Sequence, residues 1–257
     1  AALAIGLINI GSQDKDDFET LKSIVYNEPA VPETGEAAGY GLGMVMLGCG
    51  KTEEGEELIQ FAESCEHDKI SRGLAMAFAL MMYGYEDEAD EQFERLIKER
   101  QSVLREGAAW TLALAYVGTG NSTAIQRLLH VAVSDTSSDV RRVAVIGVGF
   151  VMSRNPEKVP EMLGLLCRSY HPYVRSGAAL AIGIAMAGSG SQEAIDLIKP
   201  LLEDYELIVL QSAMIAMAMI LQQLSDAAVP YCKTFRQYLR KKISKNASDM
   251  TAFSIGA

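Results

Sequence analysis

Residues 48–52 read Gly-Cys-Gly-Lys-Thr and so resemble the end of a phosphate-binding loop. In such a loop the backbone N–H groups of the glycines surround phosphate groups and the lysine side chain reaches them. The full motif needs a further glycine five residues before Gly50, where this chain has Val45, and a strand in front of the loop. The preceding residues favour a helix instead. We therefore predict a helix-ending turn at residues 48–52 and no nucleotide site.

Cys167 and His171 lie four residues apart, a spacing at which one helix face could present both side chains to a metal ion. Pro172 follows His171 directly, which places the histidine in a turn, and no second pair of ligands accompanies them. The Gly-x-Ser-x-Gly elbow of many hydrolases is also missing from the sequence. We therefore predict no catalytic, cofactor-binding or metal-binding residues, and we do not expect an enzyme.

The composition narrows the class of partner and the compartment. The 257 residues carry a formal net charge of −10, which disfavours nucleic acid as a partner because phosphate binding needs a basic face. The apolar runs are too short to span a bilayer and no targeting peptide is visible, so no membrane association is expected. The irregular spacing of the four cysteines is typical of reduced thiols in a cytoplasmic or nuclear protein: Cys49, Cys65, Cys167 and Cys232.

A segment of small residues recurs along the chain. Its clearest copy, residues 174–190, reads VRSGAALAIGIAMAGSG, and we expect its helix to begin near Pro172 and to end at a left-handed Gly188. Further copies occupy residues 35–50, 70–84, 104–120, 140–152 and 208–223. Successive equivalent residues are 36, 34, 36, 34 and 35 positions apart: Ala37, Gly73, Gly107, Val143, Gly177 and Ser212. A fixed period of this size indicates a repeat array.

Each period also contains a more polar segment with apolar residues at helical spacing. These segments are residues 16–26, 53–63, 86–99, 123–133, 156–168 and 192–202. The sequence therefore predicts an all-α fold, an α-α superhelix of about seven HEAT-like two-helix repeats in a single repeat domain over residues 1–257. Residues 250–257 resemble the start of another small-residue helix, so both ends are expected to fall within repeats of a longer array.

Glycines inside the small-residue segments would each cost about 1 kcal/mol relative to alanine in an isolated helix. They are expected at close helix contacts, because glycine and alanine let two backbones approach and form a tight inner layer. The predicted packing glycines are Gly39, Gly41, Gly43, Gly147, Gly149 and Gly183.

Charged residues recur at the turns. Asp135 lies six residues before Arg141, and arginine occupies the equivalent place at Arg105 and Arg175. An acid in a turn and an arginine in the next first helical turn could pair within one repeat or between two repeats, and a series of such pairs could fix the register of the array.

Two further charged stretches have alternative interpretations. The acidic stretches at residues 53–66 and 86–94 are interpreted as the solvated face of outer helices. The alternative, which fits less well, is an acidic surface that binds basic partners. The basic stretch at residues 236–245 fits an outer repeat helix, with a partner contact as the alternative.

The Gly/Ala-rich helix closed by a Gly-x-Gly turn resembles the proteasome/cyclosome repeat. Residues 118–142, GTGNSTAIQRLLHVAVSDTSSDVRR, are the most specific match and resemble the larger of the family's two proteasome scaffolds, as do residues 67–83 and 171–190. The resemblance covers nearly the whole chain. The last copy departs from the pattern, with Leu210 where arginine is expected and Gln223 where the closing glycine is expected.

The resemblance implies a non-catalytic scaffold of the proteasome regulatory particle, whose repeats form an arc or part of a closed helical toroid. It implies ATPase, lid and ubiquitin-processing subunits as partners, and no cofactor. One alternative is a helical-repeat adaptor outside the proteasome, either a cyclosome subunit or a peptide-binding transport receptor, although the small inner residues argue against a peptide groove. Another alternative is an enzyme, for which the sequence offers no catalytic constellation. Self-association through open repeat ends is a further expectation.

Overall fold

A computed structural model describes residues 1–27, 31–50 and 52–243 of the chain. Helices and turns make up this part of the chain, and the helices alternate between two types along the sequence. The small-residue helices are α1 (Ala2–Ile8), α3 (Pro32–Val45), α5 (Asp68–Met81), α7 (Ser102–Ala115), α9 (Ser138–Val151), α11 (Pro172–Ala185) and α13 (Leu207–Ile220). The polar helices are α2 (Lys15–Asn27), α4 (Glu53–Ser64), α6 (Glu86–Leu96), α8 (Ser122–Ser134), α10 (Val159–Leu163), α12 (Gln192–Ile198) and α14 (Tyr231–Ile243).

The small-residue helices from α3 to α13 are each 14 residues long, so a residue's place in its helix identifies its place in the repeat. Proline occupies the first turn of α3 and of α11, where its missing N–H group breaks no helical hydrogen bond. Beyond the end of α11, Gly188 has φ +68°, the left-handed conformation predicted for it. The predicted all-α fold of two-helix repeats is confirmed.

Glycines allow neighbouring small-residue helices to pack backbone against backbone. A Cβ atom added to Gly43 of α3 would lie 2.5 Å from the Cα atom of Ala77 in α5, and one added to Gly183 of α11 would lie 2.7 Å from that of Ala216 in α13. The close packing expected at five of the six glycines is thereby confirmed: Gly39, Gly41, Gly43, Gly149 and Gly183. The role of Gly147 stays a prediction.

The polar helices pack on the small-residue helices within each unit. Helices α2, α4 and α6 pack on α3, α5 and α7, while α10 and α12 pack on α11 and α13. Apolar residues at helical spacing on α4, such as Leu58 and Ile59, are fully buried, as are Leu74 and Phe78 of α5. Burial of these side chains supplies most of the driving force for association of the two helices of a repeat.

Two polar segments differ from the uninterrupted helices predicted at residues 156–168 and 192–202. The first divides into a 3-10 turn at Pro156–Lys158, the five-residue α10 and a second 3-10 turn at Leu166–Arg168. The second is an α-helix only to Ile198 and continues as a 3-10 helix over Lys199–Glu203. The reason is proline: Pro160 and Pro200 have no N–H group for the i to i−4 hydrogen bond, and the backbone tightens around them.

The described chain separates into two compact units. One consists of residues 1–117 and 122–131, and the other of residues 118–121 and 132 onwards, so that α8 begins in the first unit and ends in the second. Each unit is built from the same alternation of helices. Among the described residues no helix is long and apolar enough to cross a bilayer. Residues 244–245 of the basic stretch and the helix expected at residues 250–257 lie outside the described residues.

Candidate interaction surfaces and contacts between repeats

The turns that follow α1, α3, α5, α7 and α11 each bind the end of the next small-residue helix. After α7, Gly118 and Gly120 have φ values of +71° and +66°, so both adopt the left-handed conformation that glycine favours. Their N–H groups donate to the carbonyl oxygens of Phe150 and Val151 at 3.0 and 2.9 Å. These carbonyls belong to the last turn of α9, where a helix has no internal donors to offer. The turn of one repeat therefore caps the helix of the next.

The same pattern recurs at the turns after α1, α3, α5 and α11. The donors and acceptors are Gly11 to Met44, Gly48 to Leu80, Gly50 to Met81, Gly84 to Leu114, Gly188 to Met219 and Gly190 to Ile220, with N···O distances of 2.8 to 3.2 Å. At residues 48–50 this geometry confirms the helix-ending turn. The two N–H groups that a phosphate loop would aim at its ligand are here donors to α5.

A buried ion pair adds a second contact between repeats. The guanidinium group of Arg175 donates from Nε and Nη2 to the two carboxylate oxygens of Asp204 at 2.8 and 3.0 Å. Its Nη1 atom donates to the carbonyl oxygens of Ser169 and Tyr170, in the turn before its own helix. Both paired side chains are only 9% exposed, and the hydrogen bonds that Arg175 donates to Asp204 raise the pKa of Arg175 above its ordinary value. The bidentate geometry holds one orientation of the two repeats.

The arginines at the equivalent place differ in their partners. Arg105 repeats the local part of this arrangement, since its Nη1 atom donates to the carbonyl oxygens of Glu99 and Arg100, both at 2.9 Å. Arg141, by contrast, forms no side-chain hydrogen bond or ion pair with any described residue, and its Nε atom is buried. A pair between Asp135 and Arg141 within one repeat, one form of the predicted turn contact, is therefore not formed. For Arg175 the pairing is between repeats.

Ion pairs also join successive polar helices. Lys22 of α2 lies 2.6 Å from Glu57 of α4, and Arg95 of α6 lies 2.9 Å from Glu56 and 2.6 Å from Glu63. Several carboxylates of the acidic stretch at residues 53–66 thus contact the neighbouring repeats. The interpretation of this stretch as a face of outer helices fits these contacts, and three of its acidic groups already have a cationic partner within the chain.

A groove opens on the small-residue side of the first unit. Its volume is about 520 Å³. Its walls are mostly apolar: Leu7, Ile10, Met44, Met76, Leu80, Val103, Gly107 and Trp110, together with the polar residues Tyr40, Arg72 and Glu106. Large apolar side chains around a concave surface are typical of binding sites for other chains or ligands. The sequence argument against a peptide groove depended on small inner residues, and among the described residues Gly107 is the one small residue that lines this groove.

Charged groups line one side of the groove. Arg72 lies between two carboxylates, 3.5 Å from Glu36 and 3.9 Å from Glu106. The hydroxyl group of Tyr40 donates to Glu36 at 3.0 Å, and burial together with this contact raises the pKa of Tyr40 to about 12. The groove therefore combines mostly apolar walls with a row of alternating charges on one side.

A repeat pattern in the sequence could have revealed the groove. Residues at the fifth and ninth positions of the 14-residue helices line it: Tyr40 in α3, Arg72 and Met76 in α5, and Glu106 and Trp110 in α7. Glu36, the fifth residue of α3, contacts two of these lining residues, Tyr40 and Arg72. Residues four apart share a helix face, so these positions form one stripe on each helix. Large and charged side chains at both positions distinguish the first three copies from α11, which has Ser176 and Leu180 there.

The two residues considered as metal ligands are placed differently. Cys167 lies in the 3-10 turn before α11 and is buried, which raises its pKa to about 12, so the thiol stays protonated. His171 lies at the N-terminal boundary of α11, as predicted for a turn, and its ring packs edge-on against Tyr170. Within the described part of the chain, no three His, Cys, Asp or Glu residues are arranged to hold a metal ion.

Comparison with known proteins finds similar repeats and similar subunits. A family model of HEAT repeats matches residues 125–218. The chain is 44% identical over its full length to 26S proteasome non-ATPase regulatory subunit 1 homolog B of Arabidopsis thaliana, and covers 25% of it. It is 45% identical, over 97% of its length, to 26S proteasome non-ATPase regulatory subunit 1 of Drosophila melanogaster, and covers 24% of that protein. Against 26S proteasome regulatory subunit RPN2 of Saccharomyces cerevisiae it is 46% identical over 90% of its length, again covering 24%.

The chain thus spans about a quarter of the length of these curated relatives. An identity above 40% over almost the whole chain is far more specific than a shared two-helix repeat. The match falls on one contiguous segment of a single type of subunit. The predicted resemblance is confirmed: over 90% or more of its length, the chain is similar to a segment of proteasome non-ATPase regulatory subunit 1 and of its RPN2 counterpart.

Proposed function

We propose that this chain acts within a non-catalytic scaffold of the proteasome regulatory particle. The scaffold would organise ATPase, lid and ubiquitin-processing subunits for ubiquitin-dependent protein degradation. The observation that carries the proposal is the full-length similarity to subunits that are named both regulatory and non-ATPase. The same assignment gives the cytoplasm and the nucleus as the compartments, and treats the repeats of both units as one array.

The mechanism of such a scaffold is geometric. The closing turns, the glycine contacts and the Arg175–Asp204 pair each join one repeat to the next, through backbone groups or a buried bidentate pair. Contacts of this kind leave few alternative arrangements of two packed helices. Side chains on successive repeats are then held at fixed spacing, which is what a surface for several partner subunits requires.

No bond chemistry is assigned to any residue of the chain. Cys167 is a buried, protonated thiol, and the N–H groups of Gly48 and Gly50 are donors to the next helix. Addition of nucleotides or divalent metal ions should therefore leave the unfolding temperature unchanged. A specific rise with one of these ligands would revive an enzymatic role, because a ligand that binds only the folded state stabilises it.

The groove of the first unit favours binding of an apolar segment, and this feature keeps an adaptor role as the second candidate. The two candidates differ in their partners. We would express the uncut parent protein with an affinity tag, capture it from cell extract and identify co-purifying proteins by mass spectrometry. Recovery of proteasome ATPases and lid subunits supports the scaffold. Recovery of cyclosome subunits or transport cargo without proteasome subunits would retain the fold and overturn the function.

A further inference from the structure

One position in the turn before each small-residue helix has the same local geometry in three consecutive repeats. The third residue before the helix is Asp135 for α9, Ser169 for α11 and Asp204 for α13. In each case a side-chain oxygen accepts the backbone N–H of the residue two positions later, at 2.7, 3.3 and 2.9 Å. The repeat therefore places an acid at this position twice and a serine once.

The acid of α13 also binds the preceding repeat. Asp204 accepts hydrogen bonds from Nε and Nη2 of Arg175, which is the fourth residue of α11. The fourth residue of α9 is Arg141, and α9 packs against α11 as α11 packs against α13. By this equivalence the partner position of Arg141 is Ser169. The serine has no charge to offer, and Arg141 has no side-chain partner among the described residues although its Nε atom is buried.

We propose that Ser169 is a phosphorylation site and that its phosphate binds Arg141. A phosphoserine carries a charge of about −2 and three acceptor oxygens, which suit the two-pronged guanidinium group. The modified serine would take the role that Asp204 has one repeat later. A buried guanidinium nitrogen without an acceptor is costly, and the phosphate oxygens would satisfy it.

The surroundings of Ser169 permit the modification. Ser169 is half-buried, and its neighbours Arg168 and Tyr170 are exposed, Tyr170 by 90%. An ATP-dependent protein kinase would supply the phosphoryl group. The Ser169 Oγ atom attacks the γ-phosphorus, a new O–P bond forms as the bond to ADP breaks, and the hydroxyl proton passes to the base of the kinase. Arg168, a further cationic residue, directly precedes Ser169 in the sequence.

The proposal concerns a modification of one repeat boundary and is independent of which complex the parent protein joins. Its consequence is local. The contact between α11 and α13 has an ion pair of arginine with an acid of the turn, and phosphorylation would supply the equivalent pair between α9 and α11. Contacts that both order a turn and join two elements are the usual structural effect of an introduced phosphate opposite arginine.

The test compares three forms of the chain by thermal unfolding. Phosphoserine is incorporated at position 169 by genetic encoding, in the natural background and in Arg141→Gln. The third form, Cys65→Asp, adds a negative charge at the equivalent turn position before α5, where the fourth residue of the preceding helix α3 is Gly35 and not arginine. We expect phosphoserine to raise Tm by about 2–4 °C only when Arg141 is present, and Cys65→Asp to give no rise.

Phosphorus NMR gives a second readout that a general effect on packing would not move. Pairing with Arg141 should lower the second pKa of the phosphate by about 1 unit below its usual value near 6, and Arg141→Gln should restore it. The parent protein purified from cells treated with phosphatase inhibitors should also yield a peptide phosphorylated on Ser169. An unchanged or lower Tm, the same Tm rise without Arg141, or absence of that peptide would each overturn the proposal.

Discussion

Asp204 and Arg175 form a bidentate ion pair between consecutive repeats, with N···O distances of 2.8 and 3.0 Å. Both side chains are 9% exposed. The acid comes from the turn before α13 and the arginine from the first turn of α11. Their positions are 29 residues apart in sequence. The pair thus fixes one repeat against the next at a place where neither side chain can readily turn to water.

Replacement of Asp204 by asparagine should destabilise the fold strongly. The substitution leaves a buried guanidinium group without its counter-charge, which costs about 3–5 kcal/mol. The matched control is Asp196→Asn, which removes an exposed partner of Lys199, where side-chain exposures are 58% and 40%. That control should leave the stability close to that of the natural chain, because exposed ion pairs contribute little. Urea unfolding followed by circular dichroism measures both, and equal losses would contradict a special role of the buried pair.

Gly183→Ala should destabilise the chain although alanine is the better helix former. The added Cβ would lie 2.7 Å from the Cα atom of Ala216, a backbone atom that can move only with its helix. We expect a cost of about 1–3 kcal/mol from overpacking. Gly55→Ala on the polar helix α4 is the control, because the nearest atom to its Cβ is the flexible end of Met81 at 3.3 Å. It should be neutral or stabilising by up to about 1 kcal/mol.

Gln223→Gly should stabilise the last complete repeat. Gln223 has φ +62° and so takes the left-handed place of the closing glycine that the sequence pattern lacks there. A residue with a Cβ pays about 1–2 kcal/mol in that conformation, and part of the gain from glycine is lost to the greater freedom of the unfolded chain. We expect a net gain of about 0.5–1 kcal/mol in urea unfolding. A loss of stability equal to that of Gln222→Gly would contradict it.

The cysteines should differ in their reactivity toward alkylating reagents. Burial raises the pKa of the Cys167 thiol to about 12, so at pH 8 almost none of it is thiolate, and its surface is covered. Cys65 is half-exposed. Mass spectrometry after brief iodoacetamide treatment of the native protein should find Cys65 modified and Cys167 intact. In unfolded protein both should react, and early modification of native Cys167 would show that the turn before α11 opens.

A related pH effect follows from the same shift. Because the folded pKa of Cys167 exceeds the unfolded value, the folded state keeps its proton while the unfolded thiol ionises. Stability from this group is complete below about pH 8.5 and is lost as the pH rises above it. Urea midpoints between pH 8 and 10.5 should fall less for Cys167→Ala than for the natural chain. A parallel fall in both proteins would contradict this contribution.

Much of the fold followed from periodicity, because the two helix types differ in composition and each small-residue helix repeats at about 35 residues. The breaks at Pro160 and Pro200 were also available from the sequence, since both prolines lie inside segments predicted as helix. The hydrogen bond from the N–H of Gly120 to the carbonyl of Val151 could not be predicted from the sequence, because it depends on how closely two repeats stack. The partner of Arg175 was undetermined for the same reason.

The groove was missed because the small residues of the inner helices were taken as a property of the whole face. Glycine and alanine occupy the positions where two helices touch, whereas the fifth and ninth residues point away from that contact and are large or charged in α3, α5 and α7. Sorting each 14-residue helix by position, instead of by overall composition, separates Met76 and Trp110 from their small neighbours.

The central proposal is that this segment works by holding its repeats in one fixed arrangement for partner subunits. The most direct test is native gel electrophoresis of the regulatory particle assembled with the parent protein carrying Gly183→Leu, beside one carrying Gly55→Ala. We predict that Gly183→Leu abolishes or strongly reduces the assembled particle, whereas Gly55→Ala assembles normally. Full assembly with Gly183→Leu, in a protein whose repeat segment has become protease-sensitive, would contradict the scaffold role of this segment.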